Sequence, residues 1–252
     1  MSEPVATPET SPLKKLDAAV IAPKPTQRYR AAAFQAYALF AAVGFIALAV
    51  LARTSPYFPI DLRVTHLVQS YHGAIFDRLM FGLSWLGFIP QVDILGVLVV
   101  MGLALSGLRW EAVASVFAAA GVGIGTIVKL IVARPRPGAD LVHVFKQLPT
   151  AGFPSGHVLE FTAFCGFLAF LVFTLLKPSW VRTTLLILLA LVIGLMGLSR
   201  IYQGQHWFSD VMGAYLLGSL WLALTIKFYR WGKPHFFSHQ PVAPEVAAPR
   251  PA

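Results

Sequence analysis

The run PSGHVLEFTAFCGFLAFLVFTLL, residues 154–176, decides the fold. From His157 onward its only charged side chain is Glu160. It has neither the alternation of a half-buried strand nor the polar stripe of a helix on a soluble core, and its length matches the ~20 apolar residues that cross a bilayer as a helix. At its head stands a polar turn, Pro154-Ser155-Gly156-His157, where such a helix meets water.

Five further apolar runs frame it, at about Ala31 to Ala52, Ile89 to Leu108, Ala112 to Ala133, Val181 to Leu198 and Val211 to Phe228. Apolar residues make up 57% of the chain and charged ones 12%, half the share usual in soluble domains. The expected fold is an all-α integral membrane protein of six transmembrane helices. Between the first and second spans, Val64, Leu67, Val68, Tyr71 and Ile75 recur at helical spacing, with Arg63, His66, Gln69 and His72 in the other positions. That pattern predicts an interfacial helix.

One membrane domain, residues 31–232, is expected between a Pro-rich N-terminal tail, 1–30, and a Pro- and Ala-rich C-terminal tail, 233–252. Both tails lack apolar periodicity and are expected to be disordered. The first apolar run is too long for a signal-peptide core and follows a long polar stretch, so it reads as an uncleaved span.

The formal charge of +9 comes from basic residues scattered at the ends of apolar runs, with no basic stripe interleaved with aromatics. A nucleic-acid partner is therefore not expected, and the anionic partner is a lipid in the bilayer. Lys14, Lys15, Lys24, Arg28, Arg30, Arg109, Lys177, Arg182, Lys227, Arg230 and Lys233 crowd the face that carries the termini. The opposite face holds Arg53, Arg63, Arg78, Arg134 and Lys146. The bias places the termini in the cytoplasm. The lone Cys165 has no second thiol and no ligand spacing for a metal, and reads as a small buried residue.

Charged groups at membrane depth are costly unless paired or facing a polar cavity, so three polar clusters stand out. They are Lys129 with Arg136-Pro137, Pro154-Ser155-Gly156-His157, and Ser199-Arg200 with His206 and Asp210. Six spans bring all three to one face. Lys129 supplies a point charge, and Arg136 and Arg200 supply forked donors, a set suited to phosphate oxygens. Ser155 and Gly156 precede a helix whose free N–H groups attract anions. Asp210, four positions after His206, can orient one imidazole nitrogen and leave the other to attack phosphorus. His157 is the expected acid for the leaving oxygen. Glu160, one turn further into the same helix, is expected to lie near His157 and favour its imidazolium form.

Lys129-x6-Arg136-Pro137, Pro154-Ser155-Gly156-His157 and Ser199-Arg200-x5-His206-x3-Asp210 resemble, position for position, the signature of the type 2 phosphatidic acid phosphatase superfamily. The resemblance implies a membrane-embedded lipid phosphatase that needs no metal or other cofactor. His206 would be nucleophile, Asp210 its orienting partner and His157 the acid, with Lys129, Arg136, Ser155, Gly156 and Arg200 on the phosphate. Arg134-Pro135 is a second Arg-Pro pair with the wrong separation from Lys129, and Arg134 is a candidate to assist substrate binding.

The compact, outward-facing layout is similar to bacterial undecaprenyl diphosphate phosphatases. Phosphatidate, phosphatidylglycerol phosphate and lipid A remain open as substrates, because the motifs bind phosphate and leave the tail unread. Vanadium haloperoxidases share the constellation but are soluble. A transporter that coordinates an anion without reacting is the alternative of another class. Nothing in the chain bears on oligomeric state.

Overall fold

The computed structural model describes residues 25–236, and every regular element among them is a helix. In chain order these are α1 (Pro25–Thr54), α2 (Pro59–Gln69), α3 (Ala74–Leu86), α4 (Gln91–Leu105) and α5 (Arg109–Ala119). They are followed by α6 (Gly121–Val132), α7 (Gly156–Leu175), α8 (Trp180–Tyr202) and α9 (Phe208–Phe236). Contacts divide the chain into two compact units, Met1–Phe40 and Ala41–Ala252, and the site lies wholly in the second.

Ala31–Thr54, Arg109–Val132, Gly156–Leu175, Trp180–Tyr202 and Phe208–His235 are each long and apolar enough to cross a membrane. The chain is an integral membrane protein. The expected second span differs from the others. Continuous hydropathy predicted Ile89 to Leu108, whereas α4 has only 15 residues and is joined to α3 through a 66° bend. At ~1.5 Å per residue, α4 alone falls short of the ~30 Å hydrocarbon core. With the bent pair counted as one crossing the spans number six.

Two further departures concern boundaries. The expected interfacial helix runs only over Pro59–Gln69, and Ile75, read as part of it, belongs to α3. The tails predicted at 1–30 and 233–252 lose residues to α1 and α9, which begin at Pro25 and end at Phe236. Proline at the first helical position gives up only an N–H that has no partner there, so Pro25 can start a helix rather than prevent one. The rest of both tails lies outside the described residues.

The central helix is α7, which packs on α5, α6, α8 and α9. Its buried Val158, Leu159 and Phe161 meet Met196 and Ile201 of α8 and Val211 and Ala214 of α9. Close approach of α7 and α9 needs Gly218, where a Cβ would lie 2.9 Å from the Thr162 Cβ and 3.1 Å from the Leu159 carbonyl oxygen. Small residues at such crossings let van der Waals contact hold helices that have no hydrophobic drive to associate in lipid. The packing brings the start of α7, the end of α8 and the start of α9 together.

Candidate active site

The predicted site residues sit at helix ends and in the connections beside them. Lys129 is in the last turn of α6, which stops where Ala133 turns left-handed at φ 51°. Arg136 follows in extended chain, Ser155 occupies the N-cap position of α7, and Gly156 and His157 open that helix. Arg200 lies in the last turn of α8, His206 in the connection to α9, and Asp210 in the first turn of α9. Three clusters distant in sequence thus converge.

A cavity of about 410 Å³ is lined by Lys129, Arg136, Gly156, His157, Glu160 and His206, with Gly87, Phe88 and Val92 on its apolar side. Arg200, Ser155 and Asp210 are fully buried and not on its wall. Lys129 Nζ donates to the Ala151 carbonyl at 2.9 Å. Arg136 Nε donates to the Thr150 carbonyl and Nη1 to the Gln205 carbonyl, both at 2.7 Å. The chain on either side of the site is therefore tied to the same two cations.

Arg136 Nη1 also lies 3.0 Å from His206 Nε2. A guanidinium can only donate, so Nε2 is the unprotonated nitrogen and the ring proton sits on Nδ1. Nδ1 faces Asp210 Oδ2 at 3.6 Å, an ion-pair distance rather than a hydrogen bond. His206 is 2% exposed. Burial first, then the positive charges of Arg136, Lys129 and Arg200, hold its imidazole well below the usual histidine range. It is neutral, and its Nε2 lone pair accepts from Arg136 on a ring that lines the cavity.

Asp210 is itself locked. Its Oδ2 accepts from the Trp207 N–H at 3.0 Å, and its Oδ1 accepts from Arg134 Nη1 at 2.6 Å. The other arm of Arg134 reaches Asp61 Oδ2 at 3.0 Å, and Nη1 also donates to Ser209 Oγ at 2.7 Å. Arg134 was a candidate to assist substrate. All its charge is spent inside the protein instead, with 1% of the residue exposed.

Arg200 is held by a buried amide relay that the motifs did not announce. Its Nη1 donates to Gln205 Oε1 at 3.0 Å, Gln205 Nε2 donates to Gln203 Oε1 at 3.0 Å, and Ser84 Oγ donates to that same oxygen at 2.7 Å. Arg200 Nε and Nη2 and Ser155 Oγ are buried without a protein partner. Buried donors left unpaired cost ~1–3 kcal/mol each, and such a group of them beside one cavity suits an anion.

His157 packs its ring edge-to-face on Phe88, centroids 5.5 Å apart, and abuts Gly87, where a Cβ would come within 2.4 Å of the ring. Glu160 shares the cavity wall with His157, but the carboxylate acting on it is Asp93 of α4. An apolar cavity of about 240 Å³ between α4, α5 and α7 continues from there, sharing Val92 and Glu160 with the first.

Residues 110–234 match the model of the PAP2 superfamily. Among solved structures, a transmembrane PAP2-type phosphatidylglycerolphosphate phosphatase from Bacillus subtilis superposes with a TM-score of 0.64 at 20% identity, covering 76% of this chain and 97% of that one. LpxE from Aquifex aeolicus superposes at 0.53 with 21% identity, covering 68% and 96%. A search of curated proteins gives no match. The segment that matches the PAP2 superfamily model, residues 110–234, contains all three clusters, Lys129 with Arg136, Ser155 to His157, and Arg200 with His206 and Asp210.

Proposed function

We propose that the protein is a lipid phosphatase that hydrolyses a phosphate monoester or diphosphate through a phosphohistidine on His206. The observation that carries this is the arrangement of His206: the residue lines the cavity, Nε2 is its unprotonated nitrogen, and Nδ1 faces an immobilised carboxylate. In the free enzyme Arg136 holds Nε2. A bound phosphate draws that guanidinium onto its own oxygens, joined by Lys129 and the unpaired nitrogens of Arg200, and so releases the nucleophile.

Nε2 then forms a bond to phosphorus as the bond from phosphorus to the lipid oxygen breaks, and His157 gives that oxygen its proton. Water attacks the phosphohistidine in the second step, its proton passes to His157, and inorganic phosphate leaves. Asp210 faces the ring while it is positive. The lipid tail has a route in the apolar cavity beyond Val92 and Glu160.

The charge bias at the span ends supports cytoplasmic termini and an extracytoplasmic site. Undecaprenyl diphosphate is the substrate read from the compact layout. The fold shared with the Bacillus subtilis enzyme favours phosphatidylglycerol phosphate as the second reading.

The test is phosphate release by the purified protein in detergent from a panel of lipid mono- and diphosphates, with His206→Ala as the blank. Release by wild type, absence in the variant and acid-labile label on the protein are expected. Undiminished release by His206→Ala would remove the nucleophile, and binding without release would favour a transporter.

A further inference from the structure

One carboxylate at the site lies outside all three motifs and outside the segment that the family match covers, namely Asp61 on α2. It is fully buried, and four donors converge on it. Its Oδ1 accepts from the Ser209 N–H at 2.8 Å, while Oδ2 accepts from Ser209 Oγ and the Phe58 N–H, both at 2.9 Å, and from Arg134 Nη2 at 3.0 Å. A surface helix of the kind its sequence predicts has no need to bury an acid, so this one has a partner to serve.

The partner is identified by charge. His206 is ringed by Arg136, Lys129, Arg200 and His157, and the carboxylate set against it is Asp210. Asp210 is bound by Arg134 at 2.6 Å, which on its own would cancel most of the field it offers the imidazole. With Asp61 on the other arm, two carboxylates share one guanidinium and one negative charge is left over. Formation of the phosphohistidine makes the ring cationic in these surroundings, and the surplus charge is what offsets it.

We propose that Asp61 is a positioning residue of the phosphoryl transfer: through Arg134 it fixes the Asp210 carboxylate and keeps the cluster behind His206 negative. This rests on the phosphatase reading above. It makes α2, which precedes the family segment, a working part of the site.

The experiment uses the full chain in detergent with whichever lipid phosphate the wild type turns over fastest. Asp61→Asn is expected to lower kcat about tenfold, the cost typical of removing an outer partner, with KM changed less than about twofold. Its acid limb of kcat/KM should move to lower pH, because a less negative cluster makes His206 harder to protonate. A purely structural role would leave that limb in place.

Unchanged kcat, or a fall in kcat with an unmoved limb, overturns the proposal. Should circular dichroism show that Asp61→Asn does not fold, Asp61→Asn with Arg134→Gln carries the test, since Asp210 alone then restores one negative charge. Its limb is expected at or above the wild-type position, and a limb below it overturns the proposal. Wild type that turns over no member of the panel would instead refute the phosphatase reading and remove the premise.

Discussion

His206 sets the pH behaviour. In the proposed mechanism its neutral form attacks, and its basicity is held well below the usual histidine range, so lowering the pH through ~6.5 should leave kcat/KM flat and only stronger acid should reduce it. An acid limb at or above 6.5 would show that some other group titrates. His157→Ala should cost on the order of 10²–10⁴-fold on a lipid phosphate but far less on p-nitrophenyl phosphate, whose leaving group needs no proton. Arg200→Lys should lose on the order of 10²-fold, because the single nitrogen of an ammonium cannot occupy the three separate positions of Nη1, which bonds Gln205 Oε1, and of Nε and Nη2. The residues that gather at the candidate site were legible in the sequence because the proposed chemistry fixes both type and spacing. Asp61 and the relay of Gln203 and Gln205 were not, since a glutamine inside a motif gap or an acid on a short helix acquires meaning only when its partner arrives from a distant part of the chain. Glu160 lines the cavity with His157, but the charge that acts on it is the carboxylate Asp93, which no local pattern reveals.

At the scale of elements, hydropathy located the spans and missed their breaks. The run from Ala112 to Ala133 reads as one helix, yet it divides into α5 and α6 around Ala120. The Trp221 indole explains the division: its Nε1 donates to the carbonyls of Phe117 and Ala118 at 3.0 and 3.1 Å, and its ring fills the space where Gly121 would carry a Cβ. A side chain inserted into the helical ladder breaks it without proline. Trp221→Phe should leave those carbonyls unpaired and lower stability by about 1–3 kcal/mol, read as a depressed Tm in detergent. An unchanged Tm would mean that the break is intrinsic to the backbone. Breaks of this kind escape a sequence reading because the intruding residue sits on another helix, whereas the α3–α4 joint falls at Gly87–Pro90, turn-forming residues that an average over hydropathy hides.

For the molecule as a whole, the proposed mechanism uses only the protein's own cations and imidazoles, so a chelator should leave phosphate release within about twofold of the untreated rate. Loss restored by magnesium would contradict the mechanism. The far end of α9 carries the other consequence. There Lys233 and Tyr229 close on the buried Glu111 at the start of α5, and Trp110 Nε1 donates to the Tyr229 carbonyl at 2.9 Å. From Asp210 to Lys233 a helix rises about 35 Å, close to the thickness of a bilayer's hydrocarbon core. With a polar clasp at each end, α9 is a ruler: the protein carries a built-in measure of the membrane it suits. In vesicles of graded acyl length, turnover should peak where lipid matches that rod and decline in thinner and thicker films alike.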